Sequence, residues 1–202
     1  MKLLEHIAVA ARQQWQGERV SWAQCDPRTG EVMGIDADFP RAFAKSQEAA
    51  YVRLPQSGAV FVSVADRDKR AIILPVLRLQ QLGFRILATL GTAEILSRNG
   101  ISAQVVRKYD QGESTVDGEL SIVELINSEQ VDIVINTPSG RSARADGYEI
   151  RAAAVAADLP LYTTIAQLGA AVHSIETMRE GFSVRSLQDY AIDRAERLAL
   201  IG

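Results

Sequence analysis

From Ala59 onward, short apolar runs alternate with longer amphipathic stretches. "AVFVSVA" (59–65) is apolar and β-branched, the pattern of a strand buried on both faces. "RAIILPVLRLQQLG" follows with a helical stripe of Ile72, Ile73, Val76, Leu77 and Leu79, with Pro75 early and Gly83 as its stop. "FRILA" is a second strand, "TAEILSRNG" a second helix closed by Gly100, and "AQVV" a third strand. "SIVELINS" sets Ile122, Leu125 and Ile126 on one helix face, and "VDIVIN" is a fourth strand. "GYEIRAAAVAADLP" is an alanine-rich helix ending before Pro160, "LYTT" a fifth strand, "IAQLGAAVHSIETM" a helix and "FSVRS" a candidate edge strand. "SLQDYAIDRAERLALIG" has the spacing of a final amphipathic helix, with Leu187, Tyr190, Arg194 and Leu198 in step and Asp193 able to pair with Arg197. Strands and helices in alternation predict an α/β fold: a three-layer α/β/α sandwich with a mainly parallel central sheet.

Residues 1–58 are different. Their periodicity is weak and Gly17, Pro27, Gly30, Gly34, Pro40, Pro55 and Gly58 interrupt it. One short helix is expected in "FPRAFAKSQEAAY", with Pro40 in its first turn, and "YVRLPQSG" reads as a linker. The expected division is therefore a small irregular and helical segment at 1–58 and an α/β domain at 59–202.

Composition narrows the function little. The 202 residues are 47% hydrophobic and 23% charged, ordinary for globular material, and the net charge of −3 offers no basic field for nucleic acid. The single cysteine, Cys25, makes neither an internal disulfide nor a CxxC site, so it reads as an inert thiol in a reducing compartment. Glu5 and His6 break the amino-terminal apolar stretch, and no apolar run reaches the roughly 18 residues needed to span a bilayer. The expectation is a cytoplasmic protein without membrane contact. His6 and His173 have no partner at ligand spacing, so no metal is expected, and neither GxxxxGK[ST] nor GxGxxG occurs.

Ligands of open α/β sheets bind beyond the carboxyl ends of the strands. The first loop carries Asp66, Arg67, Asp68, Lys69 and Arg70; the second Thr89, Gly91 and Thr92; the third Arg107, Lys108 and Tyr109. The fourth carries Asn136, Thr137, Ser139, Gly140 and Arg141, and the fifth Thr163 and Thr164. Lysines supply charge, hydroxyls donate, and Gly91 and Gly140 let backbone N–H groups approach. Together these are the means of gripping a phosphate monoester. Each residue also has a plain structural reading. Thr92 is a natural N-cap, Thr89 a turn residue, Asn136 an Asx turn, and Lys69 and Lys108 solvated lysines. Asp66 and Asp68 are either an acid/base pair or solvating groups that cap the first helix.

The blocks "GEVMGID", "FAKSQEAAY", "VFVSVADRDKR", "LGFRILATLGTAEILSRNGI", "VDIVINTPSGR" and "DGYEIRAAAVAADLP" resemble the carboxyl-terminal end of the carbamoyl-phosphate synthase large subunit. The first two are similar to the tail of its second ATP-grasp unit. Residues 59–190 resemble its regulatory domain, which has the methylglyoxal-synthase-like fold. The resemblance implies an allosteric module without catalytic residues or cofactor, serving pyrimidine and arginine biosynthesis and binding UMP or IMP as effector. It places effector contacts at Lys69, Thr89, Thr92, Lys108, Asn136 and Thr137, beside Gly91, Ser139 and Gly140 of the same loops. The implied partner is the synthetase portion or its complex with the small subunit. Two departures stand out. Pro138 replaces a threonine of "TTSG" and removes one contact, and residues 1–26 do not resemble the family. The ATP-grasp domains that perform the chemistry are not in this sequence.

Other readings compete. A phosphate-eliminating lyase of the methylglyoxal synthase type needs a carboxylate base and a histidine. Ala65 stands where that histidine would be, Gly118-Glu119 replaces Gly-Asp, and no histidine lies between His6 and His173. The purine-pathway cyclohydrolase shares the "SVSDK"-like opening but not its lysine- and histidine-rich block. The last reading is a vestigial fragment that binds nothing.

Overall fold

The computed structural model describes residues 7–11, 23–26, 31–50, 53–107, 121–137, 147–181, 185–186, 188–190 and 192–193. The chain divides into two compact units, 55–172 and 1–54 with 173–202.

The unit at 55–172 is built on five parallel strands: β4 (Ala59–Ser63), β5 (Arg85–Ala88), β6 (Gln104–Val105), β7 (Ile133–Asn136) and β8 (Leu161–Tyr162). Their order is β6-β5-β4-β7-β8, so the first strand lies in the middle. Phe61 pairs in register with Leu87 on one side and Val134 on the other. The helices are α2 (Ile73–Gln81), α3 (Leu90–Arg98), α4 (Ile122–Asn127) and α5 (Tyr148–Ala156). Right-handed crossovers put α2 and α3 on one face of the sheet and α4 and α5 on the other, because the strand order reverses at β4. The second face shows this in its packing. Phe61, Leu87 and Val134 form one buried cluster with Ile122 and Ile126 of α4 and Ile150 and Ala154 of α5. Every residue of β4 and β7 is buried, which explains their unbroken apolar runs.

The strands and helices expected between Ala59 and Met178 are present, with shifted ends, while Arg185 and Ser186 of the candidate edge strand are not in a strand. Gly83 and Gly100 stop α2 and α3 as anticipated, with φ of 89° and 76°. Phe84 N–H donates to Leu79 O and Ile101 N–H to Leu96 O, both at 3.0 Å, and both pairs of side chains are buried. The ends of α4 and α5 use the same bonding with Glu129 and Asp158 at positive φ. The start of α4 is a reciprocal box. Ser121 accepts from Glu124 N–H, and the Glu124 carboxylate accepts from Ser121 N–H at 2.6 Å. That backbone hydrogen bond holds the Glu124 carboxyl below its usual range. Tyr162 is buried on β8, and no partner for its hydroxyl is found among the described residues; burial pushes its pKa upward.

The other unit adds elements the sequence pattern did not reveal. Strands β1 (Ile7–Ala11), β2 (Ala23–Asp26) and β3 (Glu31–Ile35) form an antiparallel sheet in the order β1-β3-β2. The expected helix is α1 (Phe39–Ala49), capped by Asp38, which accepts from Arg41 N–H at 2.9 Å. Any Cβ on Gly34 would collide with Ala42 O, so α1 lies directly on the backbone of β3. Lys45 on α1 is completely buried and forms an ion pair with Asp36 at 2.6 Å, outside hydrogen-bond alignment. Its Nζ also donates to the Tyr190 hydroxyl at 3.1 Å. Asp193 pairs with Arg185 at 2.7 Å; Arg197, its expected partner, lies outside the described residues. So do residues 182–184 of the candidate edge strand and Leu187, Arg194 and Leu198 of the final stripe. The last long helix, α6 (Ile165–Arg179), gives its first residues to the α/β unit and those from His173 to this one. No helix among the described residues is long and apolar enough to cross a membrane.

Candidate functional site

Because β4 is the central strand and the order reverses there, its carboxyl end opens between the loops that follow β5 and β7. Four backbone contacts tie these loops together. Thr89 N–H donates to Val62 O at 3.3 Å and Thr137 N–H to Ser63 O at 3.2 Å. Ala65 N–H donates to Thr137 Oγ1 at 2.9 Å, and Val64 N–H to Thr92 Oγ1 at 3.5 Å. Thr92 and Thr137 are thus brought to adjacent residues at one strand end, Val64 and Ala65. Asn136 lies beside them, in register with Ser63.

Thr89 is the N-cap of α3, and its side chain makes no cap bond to the helix. This corrects the reading of Thr92 as the cap. The helix starts at Leu90, so Thr92 falls in its first turn, buried, with Thr89 Oγ1 donating to Thr92 Oγ1 at 3.3 Å. A Cβ on Gly91 would sit 3.3 Å from Lys69 Nζ, so the ammonium lies close over this glycine. Lys69 is thereby placed over the first turn of α3. Its ammonium is held by Asp66 at 2.7 Å, and this hydrogen bond keeps the Asp66 carboxyl below the ordinary range. Asp66 is 94% exposed and sits in a single 3-10 turn, Asp66–Asp68. Neither aspartate caps α2, whose N-cap is Ile72 without a side-chain bond, which corrects the capping alternative.

Lys69, Thr89, Gly91, Thr92, Asn136 and Thr137 therefore lie around one strand end. Lys108, Ser139 and Gly140 lie outside the described residues. Sequence reasoning missed Arg151. It sits inside the alanine-rich helix α5, and its Nη1 donates to Asn136 Oδ1 at 2.9 Å. Only its place one turn into the helix that follows the Asn136 loop could have signalled this.

The polar groups have a common sense. Thr137 Oγ1 and Thr92 Oγ1 each accept from a backbone N–H of the β4 end, and Asn136 Oδ1 accepts from Arg151. Each of these bonds uses an acceptor site and leaves the donor of the same side chain, the Thr92 and Thr137 O–H and the Asn136 NH₂, unspent. Lys69 adds a cation, and the uncapped first turn of α3 adds backbone N–H groups. Such a rim suits a guest made of acceptors. Among the described residues, no three His, Cys, Asp or Glu side chains are grouped to hold a metal ion.

Residues 71–163 match the MGS-like domain family. Over 169 residues, 84% of this chain, the sequence is 75% identical to the carbamoyl phosphate synthase large chain of Clavibacter sepedonicus, of which the match covers 15%. The large chain of Beutenbergia cavernae is 59% identical over 170 residues, again 84% of this chain and 15% of the relative. The chain carries the MGS-like domain of a carbamoyl phosphate synthase large chain. It matches the C-terminal region of those large chains and spans about 15% of the length of the curated relatives. Among solved structures, methylglyoxal synthase from Elizabethkingia anophelis is 17% identical with a TM-score of 0.43, covering 60% of this chain and 80% of that one.

Proposed function

We propose that this MGS-like domain binds the phosphate of a nucleoside monophosphate, UMP or IMP, and acts as an allosteric module of carbamoyl phosphate synthase without chemistry of its own. The observation that carries the reading is the gathering of Lys69, Thr92, Asn136 and Thr137 at the end of β4, each presenting a donor or a charge, with Thr89 beside them donating its hydroxyl to Thr92. A monoester dianion has acceptors only and matches that set. It would draw Lys69 from Asp66, an exposed carboxylate of lower charge. The partner is the synthetase portion of the large chain, and regulation needs a coupling of about 1–3 kcal/mol between the two sites. Lyase chemistry is disfavoured because Ala65, buried, stands where a histidine is needed, and its N–H is taken by Thr137.

Calorimetric titration with UMP and IMP tests the reading. At least one should bind, and Lys69→Ala or Lys108→Ala should each weaken it by more than about 1 kcal/mol, the loss of a charge-assisted contact. Flat titrations with both nucleotides would refute it in favour of the vestigial reading. Turnover of dihydroxyacetone phosphate would refute it in favour of a lyase.

A further inference from the structure

We infer that Arg151 is a positioning residue that fixes the Asn136 amide, so that Asn136 meets an anionic guest as a donor. The inference rests on the monoester reading above and concerns a residue that the family resemblance does not include. Arginine has five N–H donors and no acceptor, so the amide atom facing it must be the oxygen. The geometry agrees, with Arg151 Nη1 2.9 Å from Asn136 Oδ1. A flipped amide would set its NH₂ group against the guanidinium, donor against donor. Asn136 is 6% exposed, so water cannot readily relieve that conflict. Its Nδ2 has no partner among the described residues.

The base of this arrangement is rigid. Arg151 follows Ile150, which is fully buried in the cluster beneath the sheet, and Ala154 anchors the next turn. Asn136 ends β7 in parallel register with Ser63. Helix and strand thus hold the two side chains at a set distance. Without Arg151 the amide is free to turn its oxygen outward, where it would repel a phosphate oxygen instead of donating to it.

The test is a titration of UMP, and separately inorganic phosphate, into the wild-type chain, Arg151→Ala, Arg151→Lys, Asn136→Ala, Asn136→Asp and the Asn136→Ala/Arg151→Ala double variant. Thermal melts confirm that each folds. Arg151→Ala should weaken UMP about five- to tenfold, the effect of one misdirected hydrogen bond. In the Asn136→Ala background the same change should matter less than about twofold, because its only route to the ligand is gone. Asn136→Asp keeps its pairing with Arg151 and should melt no lower than wild type, yet should lose more than about tenfold in UMP affinity because it has no donor. A merely structural role for Arg151 would lower the melting temperature without making the loss of UMP affinity depend on Asn136. Equal UMP affinity in wild type and Arg151→Ala would overturn the inference and leave the monoester reading intact. So would an undiminished Arg151→Ala effect in the Asn136→Ala background, which would show that Arg151 touches the ligand itself. If Arg151→Ala fails to fold, Asn136→Asp decides: unchanged UMP affinity there would overturn the inference, because a carboxylate presents no donor to the phosphate. No binding of UMP, IMP or phosphate by the wild-type chain would overturn both readings together.

Discussion

Lys45 is a cation with no exposed surface, and it faces Asp36, whose side chain is 5% exposed, at 2.6 Å. With an effective dielectric constant near 20, two unit charges at that distance attract by about 6 kcal/mol. Removing both from water costs several kcal/mol each, so the intact pair adds little net stability. Breaking it is another matter. Lys45→Met strands the Asp36 carboxylate, which still accepts from Ala37 N–H at 2.6 Å. Loss of one partner from a buried pair costs about 3–5 kcal/mol. Amide hydrogen exchange in α1 reads the opening free energy of this unit directly. Relative to wild type, Lys45→Met should lose about 3–5 kcal/mol. The Lys45→Met/Asp36→Asn double variant should be more stable than Lys45→Met alone, because no buried charge is left without its partner. A loss under about 1 kcal/mol in Lys45→Met, or a double variant less stable than the single, would refute the reasoning.

Two further outcomes are expected in the α/β unit. Glu129 is exposed and closes α4 at φ 57°, doing what Gly83 and Gly100 do in the same bonding pattern. A side chain in that region costs about 1–2 kcal/mol, of which the greater freedom of unfolded glycine cancels part, so Glu129→Gly should stabilise by about 0.5–1 kcal/mol in a thermal melt. The Glu124 carboxyl is held below its ordinary value of 4.5 by the Ser121 N–H. Its stabilisation is therefore full above that value and lost as pH falls through the lowered folded one. Glu124→Gln should separate from wild type in melting temperature at pH 7 and converge with it towards pH 3; a constant gap would show that the charge is not involved.

The layered unit was legible because its strands are buried on both faces and its helices on one. Those two conditions leave periods a reader can count, as in "VFVSV" and in Ile122, Leu125 and Ile126. Element ends were less so. α3 begins at Leu90 because Thr89 already has the extended backbone of a cap, while Thr92 looked equally suited and is instead used by Val64 N–H. Glu129 and Asp158 end helices without the glycine that normally signals an end. The antiparallel sheet of β1, β2 and β3 escaped because its strands are only four or five residues long and breakers lie between them. Gly34 looked like one more breaker, yet it is the point where α1 rests on β3. Nothing in the pattern marks Lys45 as buried, because its partner Tyr190 is remote in sequence. Of the site, the hydroxyls and Lys69 could be named from the loops they occupy. Arg151 could not, since its significance lies in a contact across fifteen residues.

What the loops contribute is direction as much as chemistry. A threonine or asparagine is both donor and acceptor and by itself favours no ligand sign. Here the backbone at Val64 and Ala65, and the side chain of Arg151, each turn an acceptor inward and leave the donor of the same side chain unspent. A site biased in this way should respond to the phosphate far more than to the rest of a nucleotide. UMP and uridine differ only in that group. If the donors around β4 supply the recognition, uridine should bind at least about a hundredfold more weakly than UMP, because two or more charge-assisted hydrogen bonds of about 1.5–3 kcal/mol are lost. Raising the salt concentration should weaken UMP and leave uridine unchanged, since only the former engages Lys69. Competition calorimetry at two ionic strengths measures both effects. Equal affinity for UMP and uridine, with no response to salt, would mean that base and ribose are held elsewhere and that the ordered donors at the end of β4 serve only to join its loops.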